Sequence, residues 1–260
     1  MTQVLTGNLY DYPKYYDVVF GSDWKAEFEF LLACFEQHAK RTVKRIFEPA
    51  CGTGRLLVKL AEAGYDISGL DLNPKAVAYC NDRLEKRGFS GTAFIGDMTD
   101  FRLPRKADAA MNTINSFRHL QSEKAAEAHL RCMAAALARG GIYVLGLHLT
   151  PTRGEAMEEE CWAARRGNLA VNSRMWRKSI DMRRRIETVG MTFDVYTPSQ
   201  SFQLVDEIHF RTYTAKQMQA LIDRVEEFEI AETYDFSYDM GDPIEIGPET
   251  EDVVYILRKT

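Results

Sequence analysis

The chain has 260 residues, 45% of them hydrophobic and 27% charged, with a formal net charge of −5. That is enough for one α/β domain with an elaboration, and the acidic balance argues against nucleic acid as the main partner. No apolar run approaches the roughly 20 residues of a spanning helix, no signal-like apolar region opens the sequence, and the five cysteines form no CxxC pair, so the expectation is a cytoplasmic protein with no membrane partner, disulfide framework or zinc site.

The first predicted element is an aromatic segment, LYDYPKYYDVVF. Tyr10-Asp11 and Tyr16-Asp17 repeat one pair six residues apart around Pro13, and the residues alone read as a segment packed on the domain. Ser22 is placed to cap a helix in which Trp24, Phe28, Leu31, Leu32 and Phe35 form a buried stripe.

Residues 43–47 then read as a buried strand, with Glu48 at its carboxyl end. Gly52 and Gly54 follow in a tight turn. Leu56, Leu57, Leu60 and Ala61 recur at helical spacing, and Gly64 stands where that helix would end. A second strand, residues 67–70, runs into Asp71. This is a βαβ unit with a glycine turn at its first crossover. Glycine lacks Cβ and lets a ligand lie against bare backbone; the helix behind it presents unpaired N–H groups. Asp71 would accept hydrogen bonds from both hydroxyls of a ribose. A dinucleotide fingerprint wants a third glycine three residues after the second, and Leu57 stands there. No Gly-Lys-Ser/Thr follows either, which removes Walker-type phosphate binding. A carboxylate at Glu48 would repel phosphate and suits a ligand carrying an ammonium and a sulfonium.

Asn73 and Pro74 open a second helix as cap and first residue, with Ala76, Val77, Cys80 and Leu84 on its buried side. Residues 92–95 form a third strand, ending in Gly96-Asp97-Met98, where the acid either caps a turn or meets a ligand. A fourth strand, residues 108–111, runs into the polar tip Asn112, Thr113, Asn115 and Ser116. His119 follows, either as a satisfied packing group or as an acid–base group with an unperturbed pKa of about 6.5. Ser122 caps a helix through residue 137 that Gly140-Gly141 ends, and residues 142–147 form an apolar fifth strand leading to His148.

From residue 150 to 211 the periodicity changes. Glu158 to Glu160 read as a solvated helix face; residues 171–177, 184–195 and 201–211 alternate as strands of a small antiparallel sheet, with Arg183 to Arg185 on a solvated strand. Arg211 and Tyr213 close this insert at an expected pocket rim. Thr214 caps a helix through residue 225, residues 228–234 and 253–258 are the last strands, and residues 239–251 are an acidic surface loop.

The acid, the C-G-T-G turn and the second acid resemble the cofactor-binding half of the class I S-adenosylmethionine (SAM)-dependent methyltransferases, strongly over residues 43–147, by layout in the insert and moderately from 212 onward. The resemblance implies an α/β fold: a Rossmann-like seven-stranded sheet whose last strand lies antiparallel between the fifth and sixth, plus a small inserted antiparallel sheet. The organisation would be a lid segment and helix over residues 1–40, a SAM-binding core over 41–150, an acceptor-binding insert over 151–211, and completion of the core sheet over 212–260. It implies SAM as cofactor, with Glu48 near the methionine amino group, Ala50, Cys51, Gly52 and Gly54 under the ligand, and Asp71 on the ribose. Leu72 would flank the adenine, Asp97 accept its amino hydrogen, Met98 pack on its ring, and Asn112 and Thr113 line the space around the transferable methyl. The N-terminal segment would be a lid with Tyr16 against the sulfonium, a cation–π contact, and Tyr10 as the alternate on the acceptor side. His119 matches the position of a histidine near the acceptor nitrogen in amino-sugar N-methyltransferases, while His148, Arg211 and Tyr213 are further acceptor contacts.

The function implied is methyl transfer to a nitrogen or oxygen of a small-molecule acceptor, with most of the rate gain from positioning and desolvation and no metal. A homodimer is left open. The rival readings are an NAD-dependent oxidoreductase, disfavoured by the missing third glycine and Glu48, and a non-enzymatic SAM-binding regulatory module. Methylation of RNA or protein lacks a basic patch or docking element.

Overall fold

The computed structural model describes residues 3–154 and 159–260. Twelve strands and six α-helices are present among the described residues. The N-terminal part comprises β1 (Gln3–Thr6), α1 (Pro13–Phe20) and α2 (Lys25–Gln37). The alternating core follows as β2 (Arg45–Pro49), α3 (Arg55–Glu62), β3 (Asp66–Asp71), α4 (Pro74–Glu85), β4 (Ala93–Ile95), β5 (Ala107–Asn112), α5 (Glu123–Ala136) and β6 (Leu137–His148). After it come β7 (Glu159–Arg166), β8 (Leu169–Asp181), β9 (Ile186–Tyr196) and β10 (Ser201–Arg211), then α6 (Ala215–Asp223), β11 (Phe228–Tyr234) and β12 (Asp252–Lys259).

Seven strands form one sheet in the order β11-β12-β6-β5-β2-β3-β4. The five strands from β6 to β4 are parallel, and β12 runs antiparallel between β6 and β11. This is the methyltransferase Rossmann-like arrangement expected. β5 is buried along its whole length, as a central strand covered on both faces must be. One apolar layer packs Phe47, Tyr143, Leu145 and Tyr255 against α5 and α6; the other packs Ile46, Met111, Val144 and Ile256 against α2, α3 and α4. Alternate residues of the same strands therefore serve opposite layers, the two-residue period of a pleated strand.

The capping chemistry follows the side chains available. Asn73 Oδ1 accepts from the N–H groups of Lys75 and Ala76 with Pro74 at the first helical position, Ser122 Oγ accepts from Ala125, and Thr214 with Gln217 forms a reciprocal capping box. Ser22 does not cap α2. Trp24 occupies that position without a side-chain bond, so the helix starts later than the hydroxyl suggested. Gly140-Gly141 does not end α5 either. Leu137 is already the cap and the first residue of β6, and the two glycines lie where the β5–β6 register slips. A Cβ on Gly141 would meet the Asp108 carbonyl oxygen at 2.6 Å, and Gly140 has φ +75°, so this irregular pairing needs small residues.

The second sheet has five strands in the order β1-β10-β9-β8-β7. Two were not anticipated. β1 pairs parallel with β10 at one edge, and β7 pairs antiparallel with β8 at the other. Glu159 and Glu160 are thus on a strand and not on a helix face, and Glu158 lies outside the described residues. Arg183 to Arg185 form the turn between β8 and β9; Arg185 takes φ +61°, which no continuing strand could accommodate. The inner face of this sheet buries Val171, Phe193, Val195 and Leu204 against Leu9, Val18 and Val19 of the N-terminal segment, so that segment and the insert share one small core.

Ion pairs join the insert to the core. Glu123 on α5 receives Arg185, Arg211 and Arg224, and buried Glu187 on β9 receives Arg118 and Arg177. Phe193 is fully buried at the centre of the small core. Phe193→Ala should cost about 3–5 kcal/mol of unfolding free energy, read from urea denaturation; a loss below about 1 kcal/mol would mean the insert does not unfold with the rest.

Candidate active site at the carboxyl edge of the sheet

β2 delivers Glu48 to the carboxyl edge, and the chain then turns through Ala50, Gly52 and Gly54 with φ of +54°, +52° and +66°. A Cβ on Gly54 would lie 2.3 Å from Cys80 Sγ, so α4 packs against bare backbone there. Cys51 N–H donates to the Leu70 carbonyl, and Gly52 N–H donates to Asp71 Oδ2 at 2.8 Å. The other oxygen of Asp71 accepts from Asn73 N–H at 2.8 Å. Asp71 thus fastens the first crossover to the start of the second, and burial raises its pKa against these backbone bonds.

Two acceptors at this edge lack a partner among the described residues. Glu48 is buried and its Oε2 has no hydrogen bond; burial holds its carboxyl well above the usual range, with Arg55 opposing. Asn112 donates from Nδ2 to the Pro49 carbonyl at 3.1 Å, leaving its buried Oδ1 unpaired. A buried acceptor without a donor costs about 1–3 kcal/mol, and two of them on neighbouring strand ends fit a ligand with N–H groups. Thr113 is buried beside Asn112, and Leu72 and Ile95 leave large apolar side chains exposed at the same edge. Asp97 is exposed and its Oδ1 accepts from Thr99 N–H and Oγ1, so it caps its own turn. That turn is clamped from α5: His129 Nδ1 lies 3.0 Å from the Met98 carbonyl and its Nε2 2.9 Å from the Tyr143 hydroxyl. A carbonyl only accepts, so Nδ1 carries the hydrogen and the ring is neutral; burial pushes its pKa down to about 4.

The N-terminal segment closes over this edge. Tyr10 and Tyr16 lie with ring centroids 5.5 Å apart, and Asn73 Nδ2 donates to Asp11 Oδ1 at 2.8 Å. Burial raises the Tyr16 phenol to about 12 and holds the Tyr10 phenol well above its usual value. The Tyr10 hydroxyl is 3.0 Å from His119 Nε2, and a neutral phenol beside an imidazole donates. His119 ends the short 3-10 helix Ser116–His119. It lies against Phe210 at 4.9 Å, and burial, with Arg118 beside it, lowers its pKa to about 4.

The strongest fastening was not legible in the chain. Asp17, 1% exposed, accepts from Thr53 Oγ1 at 3.1 Å, Tyr79 Oη at 3.2 Å, Arg83 Nη1 at 2.5 Å and Arg166 Nη1 at 2.7 Å. It joins α1 to the glycine turn, α4 and β7. Its only sequence signal was its place in the second Tyr-Asp pair. His148 sits at the end of β6 with Nδ1 2.6 Å from Asp252 Oδ1. Arg211 and Tyr213 are not at a rim. Both are buried, Arg211 bonded to the Gln121 carbonyl and Glu123 and Tyr213 packed on Phe117, because the insert's last strand enters the core there.

Residues 46–141 match the family described as "Methyltransferase domain". Among curated proteins, the dTDP-3-amino-3,6-dideoxy-alpha-D-glucopyranose N,N-dimethyltransferase of Streptomyces fradiae is 29% identical over 133 residues, 50% of each chain. The chain therefore aligns with about half the length of that relative. Among solved structures, a S-adenosylmethionine-dependent methyltransferase from Clostridium acetobutylicum superposes with a TM-score of 0.77 at 16% identity, covering 97% of this chain and 99% of the other. DesVI of Streptomyces venezuelae gives 0.76 at 20% identity, covering 96% and 97%. At these identities the superpositions speak to the fold.

His119 and His129 are held neutral, whereas an unfolded chain protonates its histidines near 6.5. Between about pH 6.5 and 4 the unfolded state binds more protons, so stability falls as pH drops, by up to about 1.4 kcal/mol per pH unit for each ring. Melting temperature should decline over that window, and His119→Gln should flatten part of the decline. An identical slope in the variant would contradict the neutral, buried state assigned to this imidazole.

Proposed function

We propose, from the premise that this chain is a class I SAM-dependent methyltransferase, that it methylates the amine nitrogen of a small-molecule acceptor of the amino-sugar class. The observation that carries the choice of nitrogen is the Tyr10–His119 contact. The imidazole is neutral, buried and depressed to about 4, so it is a weak base. An alkyl hydroxyl is far too weak an acid for such a base to activate, whereas an unprotonated amine is a nucleophile already and needs only to be held in line. The amino-sugar substrate in the name of the Streptomyces fradiae relative supports the same class.

The edge suits the cofactor by the chemistry of its orphaned groups. The unpaired Glu48 Oε2 and Asn112 Oδ1 would take the ammonium of the methionine moiety and a neighbouring donor. Ala50, Cys51, Gly52 and Gly54 would present backbone beneath it, and Thr113 would border the methyl. Asp71 uses one lone pair of each oxygen on backbone, which leaves the second pair of each for ribose hydroxyls. Leu72 and Met98 would flank the adenine, with Asp97 at its amino group. When bound, the cofactor supplies an activated methyl and its own leaving group. The protein's part is to exclude water with Tyr10, Tyr16 and Phe20, to offer aromatic faces to a cation, and to orient the acceptor. His119, its Nε2 taking the Tyr10 hydrogen, would use its Nδ1–H toward the acceptor side.

Labelled methyl transfer from SAM onto matched amino sugars and their hydroxy analogues tests the reading. Transfer to the amines alone is expected; transfer to hydroxyl analogues at comparable rates would overturn the choice of nitrogen. Glu48→Gln should weaken SAM binding roughly 10- to 100-fold, the worth of one charge-assisted hydrogen bond, measured by calorimetry. The variant's ligand-free stability should hold or rise near neutral pH. A carboxyl whose folded pKa is raised gives stability at low pH that is lost as pH climbs through that pKa, and glutamine has none to lose. Unchanged affinity for SAM would remove Glu48 from the site.

A further inference from the structure

We propose that His148 and Asp252 form the proton acceptor for the protonated amine of the acceptor, with Glu160 of the insert drawing that ammonium to the same edge. This rests on the amine reading above and assigns the proton that such a reaction must dispose of. Amino sugars are ammonium ions in neutral water, and an ammonium nitrogen has no lone pair to give. Some group must take one proton before attack, and His119 is the wrong one: it is buried, its Nε2 is engaged by Tyr10, and its environment disfavours the charged ring.

His148 is built the opposite way. Nδ1 lies 2.6 Å from Asp252 Oδ1. The carboxylate only accepts, so Nδ1 carries the hydrogen and the Nε2 lone pair faces outward, the orienting logic of a His–Asp dyad. The ring is braced edge-on by Phe236 at 5.0 Å. Its backbone N–H donates to Asn115 Oδ1 at 2.8 Å, and Asn115 adopts φ +55° at the head of the short helix that carries His119. A left-handed asparagine is strained unless its contacts hold it, and these contacts tie both histidines to one loop beyond the end of β5. His148 is partly exposed, with 23% of its side-chain surface open, so a solute can reach it.

Among the described residues, acids gather beside this ring, and Glu251 also interacts with Arg118. Asp252 comes from β12 and Glu160 from β7, with Glu251 in the adjoining loop; the Tyr238 phenol stands near Asp252. Burial and the two neighbouring acids raise the Glu160 carboxyl, and His148 lowers it. Such surroundings attract a cationic acceptor. In the step, one ammonium N–H bond breaks and its proton bonds to His148 Nε2; the N–H electron pair becomes the nucleophile's lone pair, and Asp252 neutralises the imidazolium. No other bond changes and no further reactant is required.

The experiment is a pH–rate series on the full chain with dTDP-3-amino-3,6-dideoxy-α-D-glucopyranose as acceptor. At about pH 7, His148→Gln should lower kcat/KM for the sugar by about 100-fold, and at about pH 9.5, where solvent deprotonates the amine, by only about threefold. KM for SAM should be unchanged. His119→Gln should lose the same factor at both values. A His148→Gln deficit that is equal at the two pH values, or absent at both, overturns the proposal. Nitrogen-15 spectra of the protein bound to S-adenosylhomocysteine judge the dyad even if no amine is methylated, an outcome that would count against the function and not the pair. His148 should appear as the Nδ1–H tautomer, mixed with Nε2–H in Asp252→Asn; an Nε2–H ring in the unaltered protein also overturns it.

Discussion

One carboxylate, Asp17, holds the parts of this protein together. It is nearly inaccessible to water and accepts hydrogen bonds from the glycine turn, from α4 and from the first strand of the insert. A buried acid is tolerable only when its lone pairs are filled, and here the glycine turn, α4 and β7 fill them. Removing any one leaves a buried charge short of partners, which costs more than the bond itself contributes. The N-terminal segment, the glycine turn and the insert therefore form a mutually dependent set.

Across these elements the electrostatics are divided. At the neighbouring ends of β2 and β5, Glu48 and Asn112 present acceptors without donors among the described residues, an arrangement that carries a cost. Where the N-terminal segment meets the short helix after β5, Tyr10, Tyr16 and His119 are all kept neutral by burial. Farther along the edge, His148 lies among Asp252, Glu160 and Glu251. The same fold thus holds one imidazole buried against aromatic rings and another paired to a carboxylate. Burial separates the first from water, and a paired carboxylate defines the second.

The junction of insert and core explains why two residues expected at an acceptor rim are elsewhere. Where β10 leaves the small sheet for α6, Arg211 and Tyr213 enter the space between α5 and the insert. Glu123 gathers Arg185, Arg211 and Arg224 there, and Glu187 gathers Arg118 and Arg177. Arg118 is the residue before His119, so this ionic joint bears directly on the placement of that ring. Cation density that looked like surface in the chain is consumed in joining two sheets.

The alternating core was legible in the chain because its signals are local. A glycine turn between two strands, an Asn-Pro cap and a capping box each involve residues a few positions apart. The strand order and the antiparallel last strand came from the family resemblance those motifs carried. β1 was missed because four residues, three of them exposed, carry no period, and its partner β10 lies almost two hundred residues away. The placement of Ser22 and of Gly140-Gly141 misled because a hydroxyl or a glycine permits a cap without requiring one. By itself the sequence determined the βαβ unit with its glycine turn and the family resemblance that implied SAM. Only the tertiary structure decided which acids are filled and which are open, which histidine is buried and which is paired, and which arginines are structural. Those properties depend on burial and on partners distant in sequence, and a pKa or a free lone pair belongs to a place in space, not to a residue type.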